Sequence, residues 1–149
     1  MPVRLVVTEE VDGVSRILSD GEPASFSLWQ DLWVAGTTEP LGHAPVEGEA
    51  FEVPAGAARW RVFSVPPDEI LRQMIVERVG AGADHEHALF HKTATLDYIF
   101  VLDGDITLEL DDGSTLLRPG DCVVQRNTNH AWHNTSEKPV SLLGVMIGL

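Results

Sequence analysis

Three side chains in the second half of the chain, His91, Asp97 and His130, have the residue types for chemistry. If residues 91–101 form one strand, the two-residue period of a strand puts His91 and Asp97 on the same face. Two imidazoles and one carboxylate are the donors of a facial iron site, and they also suit zinc, manganese or nickel. The alternative is a pocket without metal, in which a histidine beside a carboxylate acts as a general base near neutral pH.

The neighbours of these three residues suggest how the site is completed. Thr93 shares the predicted face and leaves one ligand position to water, to substrate, or to His85 or His87, although two loop histidines beside a glutamate are more often solvated. Thr93, Gln125 and Trp132 are predicted to bind substrate. Gln125 offers an amide that contacts either the substrate or the side chains that do, and Trp132 is in phase with His130.

Other residues of reactive types are predicted to lie outside the site. Cys122 is the single cysteine and lies in an apolar run, so we expect a small buried strand residue. His43, next to a glycine, is predicted to be a solvated loop histidine. His133 has the opposite phase to His130 and is expected to point outward.

The elements that must position the site are short strands. Ile106, Leu108 and Leu110 alternate with polar residues, and Asp103-Gly104 and Asp112-Gly113 are typical of hairpin turns. Upstream, alternation and turn residues predict a hairpin from 4–7 and 14–18, strands at 25–35 and 58–65, and a loop over 36–56, and a last buried strand is predicted at 141–147.

A different periodicity separates these strand blocks. Pro67 and two acidic residues precede apolar residues at helical spacing, and Gly80 follows. The pattern predicts one helix over 68–79, with covering one end of a barrel as its expected role.

The segment 91–134 resembles the cupin superfamily. The first cupin motif is His-x-His, three or four residues, Glu, six residues, Gly, and here the frame reads His91-x-Thr93, three residues, Asp97, six residues, Gly104. The second motif is matched by Gly120, with a spacing one residue short, and by His130 and Asn134. Gln125 and Asn127 stand where the family has proline and glycine. The pattern is most similar to small single-domain cupins with HRTxTxDY and GDVVVQRGTxHAWxN segments.

The resemblance implies an all-β double-stranded β-helix, a jelly-roll-like barrel, with the helix as an insertion. Residues 1–149 then form one domain: N-terminal strands and loops over 1–66, helix and loop over 67–90, and the motif core over 91–149. It also implies a small-molecule enzyme, metal-dependent, of decarboxylase, dioxygenase or lyase type, acting on a small organic acid or an aromatic, polyketide-like compound. The alternatives are a non-catalytic ligand-binding cupin and a metal-free His/Asp acid-base enzyme. Shared fold does not decide among them.

Composition limits the partners. The formal charge of −13 and the pI near 4.6 would repel nucleic acid. No apolar run reaches the roughly 20 residues that span a membrane, and the first residues do not resemble a signal peptide, so a cytoplasmic protein is expected. By analogy with many cupins that pair through N-terminal strands, a homodimer is expected.

Overall fold

The computed structural model describes residues 3–24, 29–79 and 89–149. Ten strands and one helix are seen in this part of the chain. In chain order they are β1 (Leu5–Val11), β2 (Val14–Gly21), β3 (Trp29–Ala35), β4 (Ala58–Val65), α1 (Asp68–Val79), β5 (Thr95–Asp103), β6 (Ile106–Leu110), β7 (Gly113–Leu117), β8 (Cys122–Arg126), β9 (Ala131–His133) and β10 (Val140–Gly148).

The strands form two main antiparallel sheets. The larger has the order β3-β4-β10-β5-β8 and the smaller has the order β7-β6-β9, while β1 and β2 pair only with each other. After β5 the chain passes to the smaller sheet for β6 and β7, and it then crosses between the sheets at each step from β7 to β10, as in a jelly roll. The predicted all-β barrel with one inserted helix is therefore confirmed.

Strand β10 lies at the centre of the larger sheet. It pairs with β4 on one side and with β5 on the other, and its nine residues alternate between buried and partly exposed over most of their length. Side chains from both sheets meet beneath it in one core, formed by Ile99, Val101, Ile106, Leu108, Leu117, Val140 and Leu142. Full burial of an aliphatic side chain contributes about 1.5–3 kcal/mol, so this contact between sheets holds the barrel closed.

The prediction of a hairpin at Asp103-Gly104 is wrong. Strand β5 belongs to the larger sheet and β6 to the smaller one, so the chain crosses between sheets at this turn. Asp103 fixes the crossing because its carboxylate accepts a hydrogen bond of 2.6 Å from the backbone N–H of Ser141. Gly104 adopts φ of 68°, and a Cβ there would lie 2.7 Å from a methyl carbon of Val140. The second predicted hairpin is confirmed, since Leu110 pairs with Gly113.

The other predicted elements agree with the structure, with two differences. The N-terminal hairpin and the last strand are confirmed with longer strands, whereas residues 25–28 of the predicted third strand lie outside the described residues. Cys122 is exposed, not buried, because its position in β8 faces away from the core. An apolar sequence neighbourhood could not show which face of the strand is covered.

Helix α1 has the predicted bounds, and its first residue is tied to the barrel. The backbone N–H of Asp68 donates to the carbonyl of Asn134 at 2.8 Å, and its carboxylate accepts from the N–H of Asn134 at 2.7 Å. A carboxylate at a helix N-terminus is also favoured by the helix dipole. Within the described residues, no helix has both the length and the apolar character needed to cross a membrane.

Asn134 joins three further pieces of backbone. Its side-chain amide donates to the carbonyls of Val65 and Lys138 at 3.0 and 2.8 Å, and its side-chain oxygen accepts from the backbone and hydroxyl of Ser136 at 3.0 and 2.7 Å. The side chain is fully buried. The end of β4, the start of α1 and the turn before β10 are therefore held by one residue.

We predict that Asn134→Ala lowers the free energy of unfolding by about 2–4 kcal/mol, because it leaves buried backbone carbonyls without a donor. Urea unfolding followed by circular dichroism measures this. Asn129→Ala is the control, since that amide bonds the exposed carboxylate of Asp111, and its loss should stay within about 0.5 kcal/mol. Equal losses in the two variants would contradict a central role for Asn134.

Candidate functional site

A pair of histidines lies where the two sheets approach each other. His91 and His130 exchange backbone hydrogen bonds of 2.9 and 3.0 Å as an isolated antiparallel bridge. Their ring centroids are 4.3 Å apart with the planes inclined at 58°. His130 is buried, whereas His91 is exposed. The pair therefore runs from the interior to the surface.

Backbone carbonyls determine which nitrogen of each ring carries hydrogen. The Nδ1 atom of His91 lies 3.1 Å from the carbonyl oxygen of Leu89, and the Nδ1 atom of His130 lies 2.9 Å from that of Thr128. A carbonyl can only accept, so both Nδ1 atoms must donate. In the neutral rings Nε2 then carries a lone pair, which can accept a proton or bind a metal ion.

Burial favours the neutral form of the His130 imidazole ring. Removal from water lowers the pKa of His130, and the positive charge on a protonated His91 lowers it further, while the hydrogen bond to the Thr128 carbonyl opposes part of the shift. The ring is therefore in its lone-pair form at neutral pH.

Asp97 is the acidic residue of the site. It lies on β5, where Thr95, Asp97, Ile99 and Val101 are buried in alternation, and it is only 4% exposed. Its Oδ1 atom has no hydrogen-bond partner. Burial raises the pKa of the Asp97 carboxyl, and the Thr95 side-chain hydrogen bond and the charges of Arg61 and His91 offset part of that rise.

These residues line a cavity of about 380 Å³. Its polar groups are Ser64, Thr93, Asp97 and the two histidines, and the remaining walls are apolar or aromatic: Trp29, Phe51, Phe63, Val65, Pro66, Leu71, Ile75, Leu89, Ile99, Trp132, Leu142 and Met146. A small-molecule pocket has this character, with few polar groups in a mainly apolar wall.

The remaining predicted site residues have different surroundings. Trp132 lies on the cavity wall with its ring 5.9 Å from that of His130, in an edge-to-face arrangement. Thr93 also lines the cavity and shares a 2.8 Å hydrogen bond with Thr95.

Gln125 is buried beside Asp97 in the β5–β8 register, but it is not among the cavity-lining residues and bonds Thr128 instead. Since the Thr128 carbonyl holds His130, Gln125 supports that ring indirectly.

The predicted ligand set does not form a metal centre with the residues described. In the ranges 3–24, 29–79 and 89–149, no three His, Cys, Asp or Glu side chains are grouped so that they could hold a metal ion. His91, Asp97 and His130 nevertheless all line the one cavity. His85 and His87, predicted as a possible completion, lie outside the described residues.

Comparison with known proteins identifies the family. The family described as "Cupin domain" matches residues 75–146. The phomopsin biosynthesis cluster protein C' of Diaporthe leptostromiformis is 37% identical, over 99% of this chain and 85% of that one. The chain belongs to the cupin superfamily. A second relative, the cupin-domain-containing oxidoreductase virC of Hypocrea virens, is 47% identical over 30% of this cupin and 23% of its own length.

Solved structures show only a distant likeness. The cupin domain of an XRE family transcriptional regulator from Enterobacter cloacae aligns with a TM-score of 0.42 at 15% identity, over 62% of this cupin and 82% of that chain. This likeness adds nothing to the functional assignment.

The sequence reasoning missed a buried ion pair behind the cavity. Arg61, fully buried on β4, donates to the carboxylate of Asp31 at 2.5 and 3.1 Å and to the carbonyl of Phe51 at 3.0 Å. Its guanidinium carbon also lies 4.9 Å from the centre of the Phe51 ring. The sequence signal for this ion pair is the opposite charge of Asp31 and Arg61. It can be read only when the register of β3 with β4 is known, because that register places the two residues opposite each other.

The raised pKa of Asp97 gives a prediction with a definite sign. The folded protein binds the Asp97 proton more tightly than the unfolded chain, so this carboxyl favours folding below its unfolded pKa and that contribution is lost as pH rises through the folded pKa. We therefore expect Asp97→Asn to gain thermal stability over the wild type as pH increases from about 4 to 7.

Thermal unfolding across that pH range measures the gain. The control is Asp20→Asn: Arg4 lowers the pKa of that exposed carboxyl, so it is ionised in the folded and the unfolded state over most of this range, and the difference from wild type should stay nearly constant with pH. A stability difference for Asp97→Asn that does not change with pH would contradict the raised pKa.

Proposed function

We propose that this cupin is an enzyme that transforms a small, mainly apolar molecule in the cavity described above. The observation that carries the proposal is the His91–His130 pair on the wall of that cavity, with both Nδ1 atoms held by backbone carbonyls. Such fixed rings present Nε2 in a defined direction, which general base catalysis requires. The acidic and aromatic residues around them give a site for binding and proton transfer together.

The names of relatives support chemistry beyond binding. Three are cupin-domain-containing oxidoreductases, and the relative that aligns over nearly the whole chain belongs to a biosynthesis cluster. We infer a role in small-molecule biosynthesis, on an organic acid or an aromatic, polyketide-like compound. The proposed reaction is an oxidation, a decarboxylation or a lyase reaction.

A divalent transition metal is the cofactor that the superfamily implies. If iron, zinc, manganese or nickel binds, His91 and His130 are the ligands that the described residues offer, and the ion would supply Lewis-acid or redox chemistry. Two imidazoles do not complete a coordination sphere, so the steps assigned here are only those of the side chains. Neutral His130 can accept a proton, and Asp97 can hold one because burial favours its protonated form.

The second candidate is a protein that binds a small molecule without converting it. The mainly apolar wall of the cavity supports this candidate, since such a wall can hold a small molecule without any reacting group. Binding and catalysis make different predictions for the histidine pair.

We predict that the wild type converts at least one member of a panel of aromatic, polyketide-like and small carboxylic compounds under air, as seen by liquid chromatography and mass spectrometry. His130→Ala should reduce the rate by a factor of about 10² to 10⁴, the range for loss of a general acid-base group. His43→Ala is the matched control, because that exposed histidine bonds its own loop and lies outside the cavity. A panel member that binds tightly but is never converted would favour the binding protein.

Metal content separates the two enzyme hypotheses. Protein purified without a polyhistidine tag is analysed for transition metals beside a His91→Ala/His130→Ala variant. Metal that is present in the wild type and lost from the variant supports the metal-dependent enzyme. Activity that persists after complete chelation supports acid-base catalysis by the side chains.

We also propose that the protein is a homodimer joined through the hairpin of β1 and β2. This hairpin forms a sheet of its own, and Val14, Ile17 and Leu18 on it are more than half exposed. Exposed apolar side chains grouped on one element indicate a contact surface.

Light scattering is expected to give the mass of two chains for the wild type and of one chain for Ile17→Lys/Leu18→Lys. Leu116→Lys on β7 is the control, since Leu116 is similarly exposed at 49% but lies in the smaller sheet. A wild type with the mass of one chain at micromolar concentration would remove the dimer proposal.

A further inference from the structure

We propose that the cavity binds an aromatic molecule through a neutral hydroxyl group that donates a hydrogen bond to the histidine pair, and that it discriminates against organic carboxylates. The ligand class is therefore a phenol or an enol, not an organic acid. This inference rests on the proposed function in placing the ligand in that cavity. Of the two ligand classes proposed above, organic acids and aromatic compounds, only the aromatic compounds fit this cavity.

The cavity is rich in hydrogen-bond acceptors. The Nδ1–H groups of His91 and His130 are committed to the carbonyls of Leu89 and Thr128, so the neutral rings offer only Nε2 lone pairs. The Oδ1 atom of Asp97 is buried and has no partner, and it adds a further acceptor when the carboxyl group is ionised. A ligand that donates a hydrogen bond is complementary to these acceptors, whereas a ligand that only accepts would have to rely on the hydroxyl groups of Ser64 and Thr93.

The cavity wall lacks a permanent cation to pair with a carboxylate, as far as the described residues show. None of the described residues lining the cavity is lysine or arginine. The nearby Arg61 is committed, because its N–H groups bond both carboxylate oxygens of Asp31, the Phe51 carbonyl and the sulfur of Met146. Burying an unpaired carboxylate near Asp97 costs several kcal/mol, so the site favours neutral ligands.

The walls favour an aromatic ring. Trp132 stands edge-to-face with His130, and Phe63 and Trp29 contribute further rings to the lining. Aromatic side chains pack with ligand rings in offset or edge-to-face geometry. A volume of about 380 Å³ is near the lower end of the range for small-molecule pockets, about 300–1,000 Å³, and suits one substituted ring.

The test compares three probes of one shape by isothermal titration calorimetry at pH 8: 4-propylphenol, 4-propylanisole and 4-propylbenzoate. At this pH a phenol with a pKa near 10 is neutral, ordinary imidazoles are neutral, and the benzoate is charged. The phenol should bind roughly three- to tenfold more tightly than the anisole, the value of one neutral hydrogen bond, and at least tenfold more tightly than the benzoate.

The variant His91→Leu/His130→Leu identifies the acceptors. It should bind the phenol and the anisole with nearly equal affinity, and its binding of the anisole shows that the cavity is intact. His43→Leu is a further comparison outside the cavity that leaves the histidine pair unchanged and should keep the preference. If the double histidine variant folds poorly, His130→Leu alone should reduce the preference.

Three results would overturn the inference: benzoate binding as tight as that of the phenol, a preference for the phenol that persists in the histidine variants, or no detectable binding of any probe at millimolar concentration. Turnover is not part of this test. A protein that prefers the phenol but converts no compound in the panel overturns the enzyme proposal and leaves the ligand class intact. A protein that converts only organic acids, with no preference for the phenol, overturns the ligand class and supports the enzyme.

Discussion

Two backbone hydrogen bonds between His91 and His130 hold the site together, and they also join the two sheets. His91 precedes β5 of the larger sheet, and His130 precedes β9 of the smaller one. Because the bridge uses the main chain, the side chains are left free to bond the carbonyls of Leu89 and Thr128. The position of the rings therefore follows from how the barrel closes, and a change in either sheet would move one imidazole relative to the other.

Three ionisable side chains, Asp31, Arg61 and Asp97, are buried in the interior beside this bridge. A buried pair such as Arg61 and Asp31 costs several kcal/mol of desolvation for each ion, and its attraction offsets this only when the geometry is good. Here the guanidinium makes two bonds to the carboxylate and one to a carbonyl, which meets that condition. Asp97 has no comparable partner at Oδ1, so it is the one of these three charged residues whose burial suggests a role in binding or chemistry.

Family membership explains the architecture more fully than the chemistry. The cupin motif has a second histidine and a glutamate where this chain has Thr93 and Asp97, and both differences fall in the site. Shared fold supports many reactions, so the identity of these side chains and their surroundings must decide among them. Helix α1 also contributes, since Leu71 and Ile75 line the cavity while Asp68 and Asn134 anchor the start of the helix.

The sequence alone determined the short strands, the helix over 68–79 and the hairpin at Asp112-Gly113, because alternation, capping residues and turn glycines are local signals, and the resemblance of its motifs to those of cupins implied the barrel. It also singled out His91, Asp97 and His130, which all line one cavity. Only the tertiary structure decided that Asp103-Gly104 crosses between sheets, since both kinds of turn use the same residues. It likewise revealed the exposure of Cys122, the Arg61–Asp31 pair and the contact of Gln125 with Thr128. Each depends on which strands become neighbours, and strand pairing across distant parts of a chain is set by packing of the whole barrel and not by any local pattern.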